Sequence, residues 1–375
     1  MKQIHVLSVF GTRPEAIKMC PLVKEIGKHP GFVNKVCLTS QHSEMLRQVM
    51  DCFMIREDYD LKVMTKNQTV TAITTKVIRG LEKLFKEDRP DIVLVHGDTT
   101  TTFAAALAAF YAKIPVGHVE AGLRTYDKYA PYPEEMNRTL ASRLADLHFA
   151  PTALNRDNLV KENVREGIYV TGNTVIDAFA YTVRPGYRFE SETLRKIPFG
   201  KTRLVMMTAH RRENWGKPLE NICEAVKKAV SDFKDISVVY PVHLNPAVRN
   251  TVFPILGNTE RVILTDPVNV MDMHNILPKC HMVITDSGGL QEEAPYFGVP
   301  VLVFRGVTER VEAIEAGTAK IIGLEKDGIY GSIKSMLTDE EEYGRMARSV
   351  NPYGDGKASA RIVAALNEYF GKVGR

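Results

Sequence analysis

The chain has 375 residues, 44% hydrophobic and 25% charged, with 49 basic and 45 acidic side chains and a formal charge of +4. Those values exclude global disorder and predict two domains, each long enough to bury its own core. The charge is too evenly mixed for a nucleic-acid binder, no apolar stretch approaches the roughly 18 residues of a membrane span, and five cysteines without a CxxC pair exclude a disulfide scaffold and fit reduced thiols in a cytoplasm.

In chain order, short β-rich runs alternate with Gly/polar loops and helical stretches, which predicts parallel sheets built from βαβ units. Residues 4–10 form the first expected strand, and the apolar run there is too short for a secretory signal. Gly11 ends it, and a helix follows from about Pro14 to Ile26, with Pro21 a cost inside it. A strand over 35–39 comes next. Val70, Ile73, Val77, Leu81 and Leu84 have helical spacing. Residues 91–95 are nearly all apolar, as in a strand buried on both faces. Thr99 or Thr100 is expected to cap the Ala-rich helix that runs to Ala112. Further strands are expected over 116–119 and 147–150. A second series has strands over 203–208, 236–240, 262–264, 282–285 and 299–304, with a helix over about 219–230. A last helix is expected over 359–370. Glycines and prolines cluster between Thr171 and Pro198. The expected division is therefore 1–172, 173–355 and a C-terminal segment 356–375. The fold class is α/β, with two Rossmann-like domains.

Ligands of open α/β sheets gather at the carboxyl ends of the strands. Those ends carry Gly11-Thr-Arg13-Pro-Glu15, Ser40-Gln41-His42, His96-Gly-Asp98, His118-Val-Glu120, His210-Arg211-Arg212-Glu213, His243-Leu-Asn245 and Asp286-Ser287-Gly288-Gly289. The last opens a helix, where backbone N–H groups favour a phosphate; a tight glycine turn is the plainer reading. Glu292 and Glu293 follow, either as acceptors of ribose hydroxyls or as ordinary first-turn acids. Arg13, Lys18, Arg211 and Arg212 are positioned to flank a diphosphate, or are solvated surface charges. Asp98, Glu120 and Glu134 form a carboxylate set whose mutual repulsion would split acid from base. Asp98 reads equally as a helix N-cap, and Glu134 as a first-turn acid. His42, His210 and His243 read as donors to phosphates or sugar hydroxyls. His96-x-Asp98 and His210-x-x-Glu213 match no zinc motif, so no metal is expected. Neither GxxxxGK[ST] nor GxGxxG after a strand occurs, which argues against a P-loop ATPase and a nicotinamide site.

Gly11-Thr-Arg-Pro-Glu-Ala-Ile-Lys18, His96-Gly-Asp-Thr99, His118-Val-Glu-Ala-Gly-Leu-Arg124, Pro133-Glu-Glu-x-Asn-Arg138, Gly172-Asn-Thr174, His210-Arg-Arg-Glu-Asn214, Tyr240-Pro-Val-His-Leu-Asn-Pro246, Asp286-Ser-Gly-Gly-x-Gln-Glu-Glu-Ala-Pro295 and Thr308-Glu-Arg310 occur in one order along nearly the whole chain. This ordered set resembles the non-hydrolysing UDP-N-acetylglucosamine 2-epimerases. The resemblance implies a GT-B-type fold with the active site in the interdomain cleft, a C-terminal helix that returns to the N-terminal domain, and a cytoplasmic homodimer needing no cofactor. It implies interconversion of UDP-GlcNAc and UDP-ManNAc for surface polysaccharides, by elimination of UDP across C1–C2 to 2-acetamidoglucal and re-addition. By motif match, Asp98, Glu120 and Glu134 are the acid/base candidates. Arg13, Lys18 and His210 would stabilise the departing UDP, with His210 counted among the catalytic residues. Ser287, Gly288 and Gly289 would hold the phosphates, Glu293 the ribose, and Arg310 would complete the cleft. Met273 falls where some members place an aromatic near uracil. Gln41, His42, Gln68, Arg211 and His243 match the pocket of a second, activating UDP-GlcNAc. Val311 and Ala130 depart from the family's usual Pro and Ser. The rival readings are a GT-B glycosyltransferase using a UDP-sugar donor, a hydrolysing epimerase, a nucleotide-sugar sensor, and an epimerase of a modified UDP-HexNAc.

Overall fold

Two parallel sheets carry the chain, each with helices packed on it. The computed structural model describes residues 3–39, 43–65, 68–306 and 308–373, less the side chains of 43–45 and 373. Unit 1 comprises Met1–Tyr181 and Tyr353–Arg375, and unit 2 comprises Thr182–Pro352.

In unit 1 the elements are β1 (Ile4–Phe10), α1 (Arg13–Ile26), β2 (Phe32–Leu38), α2 (Ser43–Cys52), β3 (Tyr59–Asp60), α3 (Val70–Glu87), β4 (Ile92–His96), α4 (Thr100–Tyr111), β5 (Val116–Val119), α5 (Glu134–Leu144), β6 (Leu147–Ala150), α6 (Ala153–Lys161), β7 (Ile168–Val170) and α7 (Thr174–Thr182). The sheet order is β3-β2-β1-β4-β5-β6-β7. Every residue of β4 is buried, as its unbroken apolar run requires when helices cover both faces. The stripe Ile73, Val77, Leu81 and Leu84 turns α3 onto this core, and the alanines of α4 let the helices on that face approach closely. Pro21 is absorbed, and α1 runs unbroken from a capping box in which Thr12 and Glu15 satisfy each other's backbone N–H.

Unit 2 continues with α8 (Glu192–Arg195), β8 (Arg203–Thr208), α9 (Lys217–Asp232), β9 (Ile236–Pro241), α10 (Pro246–Leu256), β10 (Val262–Thr265), α11 (Val270–Ile276), β11 (Cys280–Thr285), α12 (Gly288–Glu293), β12 (Val301–Val303), α13 (Val311–Glu315), β13 (Ala319–Ile321), α14 (Lys326–Thr338) and α15 (Glu340–Arg348). Its sheet order is β10-β9-β8-β11-β12-β13. β12 is shorter than the 299–304 expected, since only 301–303 pair with β11. Pro300 has no N–H to extend the ladder.

The chain passes from unit 1 to unit 2 after Tyr181, not at 172/173. The physical reason is a clamp. Asp177 on α7 accepts N–H bonds from Ala358 (3.1 Å) and Ser359 (2.7 Å), which open the final helix α16 (Ala358–Val373). α7 and α16 thus belong to the same body. α16 packs on α1 and buries Ile362, Val363 and Leu366. Among the described residues no helix is long and apolar enough to cross a membrane.

The order of each sheet reverses once, at β1/β4 in unit 1 and at β8/β11 in unit 2. Such switch points open a crevice at the strands' carboxyl ends. The loops emerging there are Gly11–Thr12 and Gly97–Thr99 in unit 1, and Ala209–Arg211 and Asp286–Ser287 in unit 2.

Candidate active site

In unit 1, register brings the catalytic candidates to adjacent strand ends. His96 pairs with Val119, so Asp98 follows β4 beside the point where Glu120 follows β5. The Gly97 N–H donates to Val119 O at 2.9 Å and fastens the two loops. Glu120 has a left-handed backbone, φ +62°. A non-glycine residue there stores strain, and such residues cluster at functional sites. Its carboxylate is largely buried, with side-chain exposure of 12%, and Oε2 gathers the polar groups around it. Lys18 Nζ from α1 donates to Oε2 in a close ion pair. Asn173 Nδ2 donates to it at 3.2 Å, and His96 Nε2 lies 3.4 Å away. Lys18, expected on a diphosphate, is therefore placed against the Glu120 carboxylate.

Asp98 is tied to α5. Arg138 donates to its Oδ2 at 3.3 Å, and Asn137 Nδ2 donates to its carbonyl at 3.0 Å. It is not the helix cap. Thr99 caps α4, its hydroxyl accepting the Thr102 N–H at 3.2 Å. Glu134 opens α5 one turn before Asn137 and Arg138, on the same helix face. Glu135 beside it is structural: buried, it accepts N–H bonds from Thr125 and Tyr126 and pairs with Arg138. Glu15 is structural too, since its carboxylate takes the N–H groups of Gly11 and Thr12 and the Thr99 hydroxyl. Arg13 stands exposed at the first turn of α1. His118 turns into the core, where Nε2 donates to Gly97 O at 2.7 Å and burial pushes its pKa down to about 3. It stays neutral and serves the fold.

Gly122 fixes the path of the Glu120 loop. Its φ is +94°, and a Cβ there would stand 2.1 Å from the backbone oxygen of Asn155 on α6. Gly122→Ala should cost about 3 kcal/mol or more, from strain plus backbone displacement. Gly97 also has positive φ but faces open space, so Gly97→Ala should cost about 1–2 kcal/mol. Urea melts of the two variants check this, and equal costs would contradict the packing argument.

In unit 2 the site is organised by Asp286, fully buried at the end of β11. Its Oδ2 accepts from the backbone N–H groups of His210 and Arg211 and from Asn214 Nδ2, each at 2.9 Å. The His210 ring sits 2.9 Å from Oδ1. Burial alone would raise this carboxyl's pKa. The His210 ring and the converging N–H groups outweigh it and hold the pKa below the ordinary aspartate value. Asp286 thus fixes the turn that presents His210. His243 stacks beside His210, with ring centroids 6.3 Å apart. Arg211 reaches back to Asp286 O at 2.9 Å and approaches Glu309 at 3.5 Å. Burial opposes ionisation of Glu309, yet contact with Arg305 and the charge of Arg211 bring its pKa down to about 2. Arg212 is exposed, its guanidinium 5.9 Å from the Trp215 ring.

Ser287 precedes α12, and its hydroxyl makes no capping bond to that helix. The Arg310 guanidinium packs beside Gly288, 3.5 Å from where a Cβ would stand, and donates to Glu292 at 2.5 Å. Glu292 is buried and committed to Arg310, so of the two acids on α12 it is Glu293 that remains partly accessible. His274 Nε2 lies 3.7 Å from Glu293. A Cβ on Gly289 would crowd Glu293 at 3.2 Å. Met273 is half-buried on α11. Gln68 accepts from the Thr65 N–H and hydroxyl at 3.1 Å. Gln41 and His42 lie outside the described residues. Among the described residues, no three His, Cys, Asp or Glu side chains are grouped to hold a metal.

Sequence reasoning missed His96 and Asn173 as neighbours of Glu120 and Asp286 as the anchor of His210. The first two had a signal, since His96 ends a strand beside Glu120 and Asn173 stands in the Gly-Asn-Thr motif. The reach of Asp286 to a turn 75 residues away had none.

Unit 1 therefore presents carboxylates with a lysine and a histidine at hand for proton transfer, and unit 2 presents arginine, histidine and glycine-opened backbone suited to phosphate. The sequence profile of the UDP-N-acetylglucosamine 2-epimerase family matches residues 24–367, so the chain belongs to that family, whose members are isomerases. A Thermotoga maritima relative is 58% identical over 368 residues, covering 98% of this chain and 97% of the relative. The UDP-N-acetylglucosamine 2-epimerase of Bacillus subtilis is 53% identical over 372 residues, covering 99% and 97%. The crystal structure of the Neisseria meningitidis UDP-GlcNAc 2-epimerase bound to UDP-GlcNAc is 45% identical and superposes with a TM-score of 0.87, covering 97% of this chain and all of that one. The architecture is GT-B-type α/β.

Proposed function

We propose that this chain interconverts UDP-GlcNAc and UDP-ManNAc without hydrolysis. The C2 proton is not acidic, because no carbonyl carbon is bonded to C2. A direct deprotonation would leave an unstabilised carbanion. Elimination avoids it. A base takes the C2 proton while the C1–O bond breaks, and UDP leaves with the electron pair. The product, 2-acetamidoglucal, then accepts the UDP oxygen at C1 and a proton at C2 from the opposite face. The sequence needs a base, an acid on the other face, and cations for the leaving diphosphate. Glu120, Asp98 and Glu134 supply the first two. His210, Arg13 and the Ser287–Gly289 backbone serve the diphosphate, Arg310 holds the glycine turn, and Glu293 takes the ribose.

The observation that carries this reading is Glu120: a largely buried carboxylate on strained backbone, with Lys18, Asn173 and His96 around one oxygen. The stacking of His243 on His210 and the approach of Arg211 to Glu309 support a second UDP-GlcNAc as activator at those residues of unit 2, for which Gln41, His42 and Gln68 are further candidates by motif match alone. Both ligands would favour one closed state, which supplies the coupling. Exposed Phe110 and Tyr111 on α4 and Met136 and Leu140 on α5 support association as a homodimer. Free thiols at all five cysteines suit the cytoplasm, where the product would feed surface polysaccharides.

Proton NMR of the protein with UDP-GlcNAc in D2O is the test. The expected result is UDP-ManNAc carrying deuterium at C2. Free ManNAc plus UDP would instead mean the hydrolysing reaction. An unchanged spectrum would turn the reading toward a modified UDP-HexNAc or a glycosyltransferase lacking its acceptor.

A further inference from the structure

We propose that Asn173 is a positioning residue for Glu120, joining that carboxylate to the point where the chain leaves unit 1 and returns to it; this rests on Glu120 acting as an acid/base group. Asn173 is 3% exposed, and each of its polar groups has a defined task. Its Oδ1 accepts the Val175 N–H at 3.0 Å, an Asx turn that opens α7. That bond fixes the amide orientation, so the end facing Glu120 Oε2 at 3.2 Å is the Nδ2 donor. The reversed amide would set an oxygen against a carboxylate and an NH2 against an N–H.

The backbone N–H of Asn173 donates to Tyr353 O at 2.7 Å. Tyr353 is the first residue of the returning segment. The two segments touch as bare backbone here. A Cβ on Gly172 (φ +89°) would stand 3.3 Å from Tyr353 O, and one on Gly354 (φ +121°) would stand 3.2 Å from Gly172 Cα. One turn further along α7, Asp177 holds the N-terminus of α16. Outgoing and returning chains are therefore bonded along a full helical turn, and Asn173 is where that seam reaches the reacting carboxylate. Lys18 from α1 and His96 from β4 also face Glu120.

A purely structural Asn173 would be replaceable by aspartate, which keeps the backbone bond and the Asx acceptor. Asn173→Asp changes only the atom facing Glu120, from donor to oxygen. The expected result, followed by deuterium incorporation from UDP-GlcNAc, is a kcat lower by roughly 10- to 100-fold with KM nearly unchanged. The limb of the kcat–pH profile set by Glu120 should move to higher pH, because a second carboxylate disfavours ionisation of the first. Asn173→Ser, which keeps an Asx-type acceptor but cannot reach Glu120, should lower kcat as well and covers the case in which the aspartate variant does not fold. Asp177→Asn, which loosens the helix clamp without touching Glu120, should lower the melting temperature and leave the pH limb in place. Wild-type kcat and an unmoved limb in both Asn173 variants would overturn the proposal, as would an equal shift in Asp177→Asn. A wild-type protein that incorporates no deuterium would overturn the role of Glu120 itself, an outcome distinguishable from either.

Discussion

Glu120→Gln and Asp98→Asn should each lower kcat by about 10²- to 10⁴-fold while UDP still binds. That is the usual worth of a positioned acid or base. Both substitutions keep the shape of the side chain. Neither amide can serve as an acid or a base, and at Glu120 the change also removes one negative charge that faces Lys18. The net positive potential near Lys18 rises, so UDP should bind as tightly as before or more tightly. At Asp98 the amide can keep its oxygen toward Arg138, so the fold should be undisturbed. Calorimetric titration with UDP alongside the deuterium assay separates binding from chemistry. Near-wild-type turnover in both variants would remove these carboxylates from the mechanism, and lost UDP affinity with unchanged kcat would reassign them to binding.

Asp286→Ala should damage unit 2 more than any single substitution at its other site residues. The change strands three hydrogen-bond donors and removes the carboxylate against which the His210 ring sits. Breaking a buried charged constellation from one side costs about 3–5 kcal/mol, or roughly 10 °C for a unit of this size. UDP affinity should fall with it, because the turn presenting His210 loses its anchor. Asp286→Asn isolates the charge. The carboxyl's pKa is lower in the folded state than its ordinary value. Its contribution to stability is therefore complete above the unfolded pKa of about 4 and fades as pH falls through the folded value. Thermal melts from pH 7 to pH 3 should show that acid-side loss in the wild type and a smaller one in Asp286→Asn. Parallel curves would mean that the Asp286 charge contributes nothing to stability.

Much of the fold was legible because its signals are local. Continuous apolar runs such as that of β4, bounded by glycine and threonine, identify buried strands and their caps without tertiary knowledge. The crown of polar residues at strand ends was legible for the same reason. What each residue touches was not. Lys18 and Arg13 look equivalent in sequence, yet a helical turn separates an exposed guanidinium from an ammonium seated on Glu120. Glu134 and Glu135 are adjacent, yet the rotation of α5 buries the second among backbone N–H groups. The same holds for Glu292 and Glu293, where Arg310, 18 residues away, pairs with the first. The division after Tyr181 falls inside the Gly/Pro cluster of 171–198 but later than 172/173, because Asp177 bonds to α16, a contact spanning more than 180 residues. Composition signals where a chain bends but not where it holds on.

Because unit 1 takes residues from both before and after unit 2, its completion waits on the ribosome. Its seven strands are all made by Val170, but the helix that covers α1 begins only at Ala358. At about 5–20 residues per second, the nascent sheet spends roughly ten to forty seconds with that flank of α1 uncovered. Unit 2 is synthesised in one stretch within this interval and has every strand in hand before unit 1 can close. A piece of unit 1 is therefore made after all of unit 2, and a polypeptide released between them would leave the carboxylate-bearing unit unfinished while unit 2 is whole.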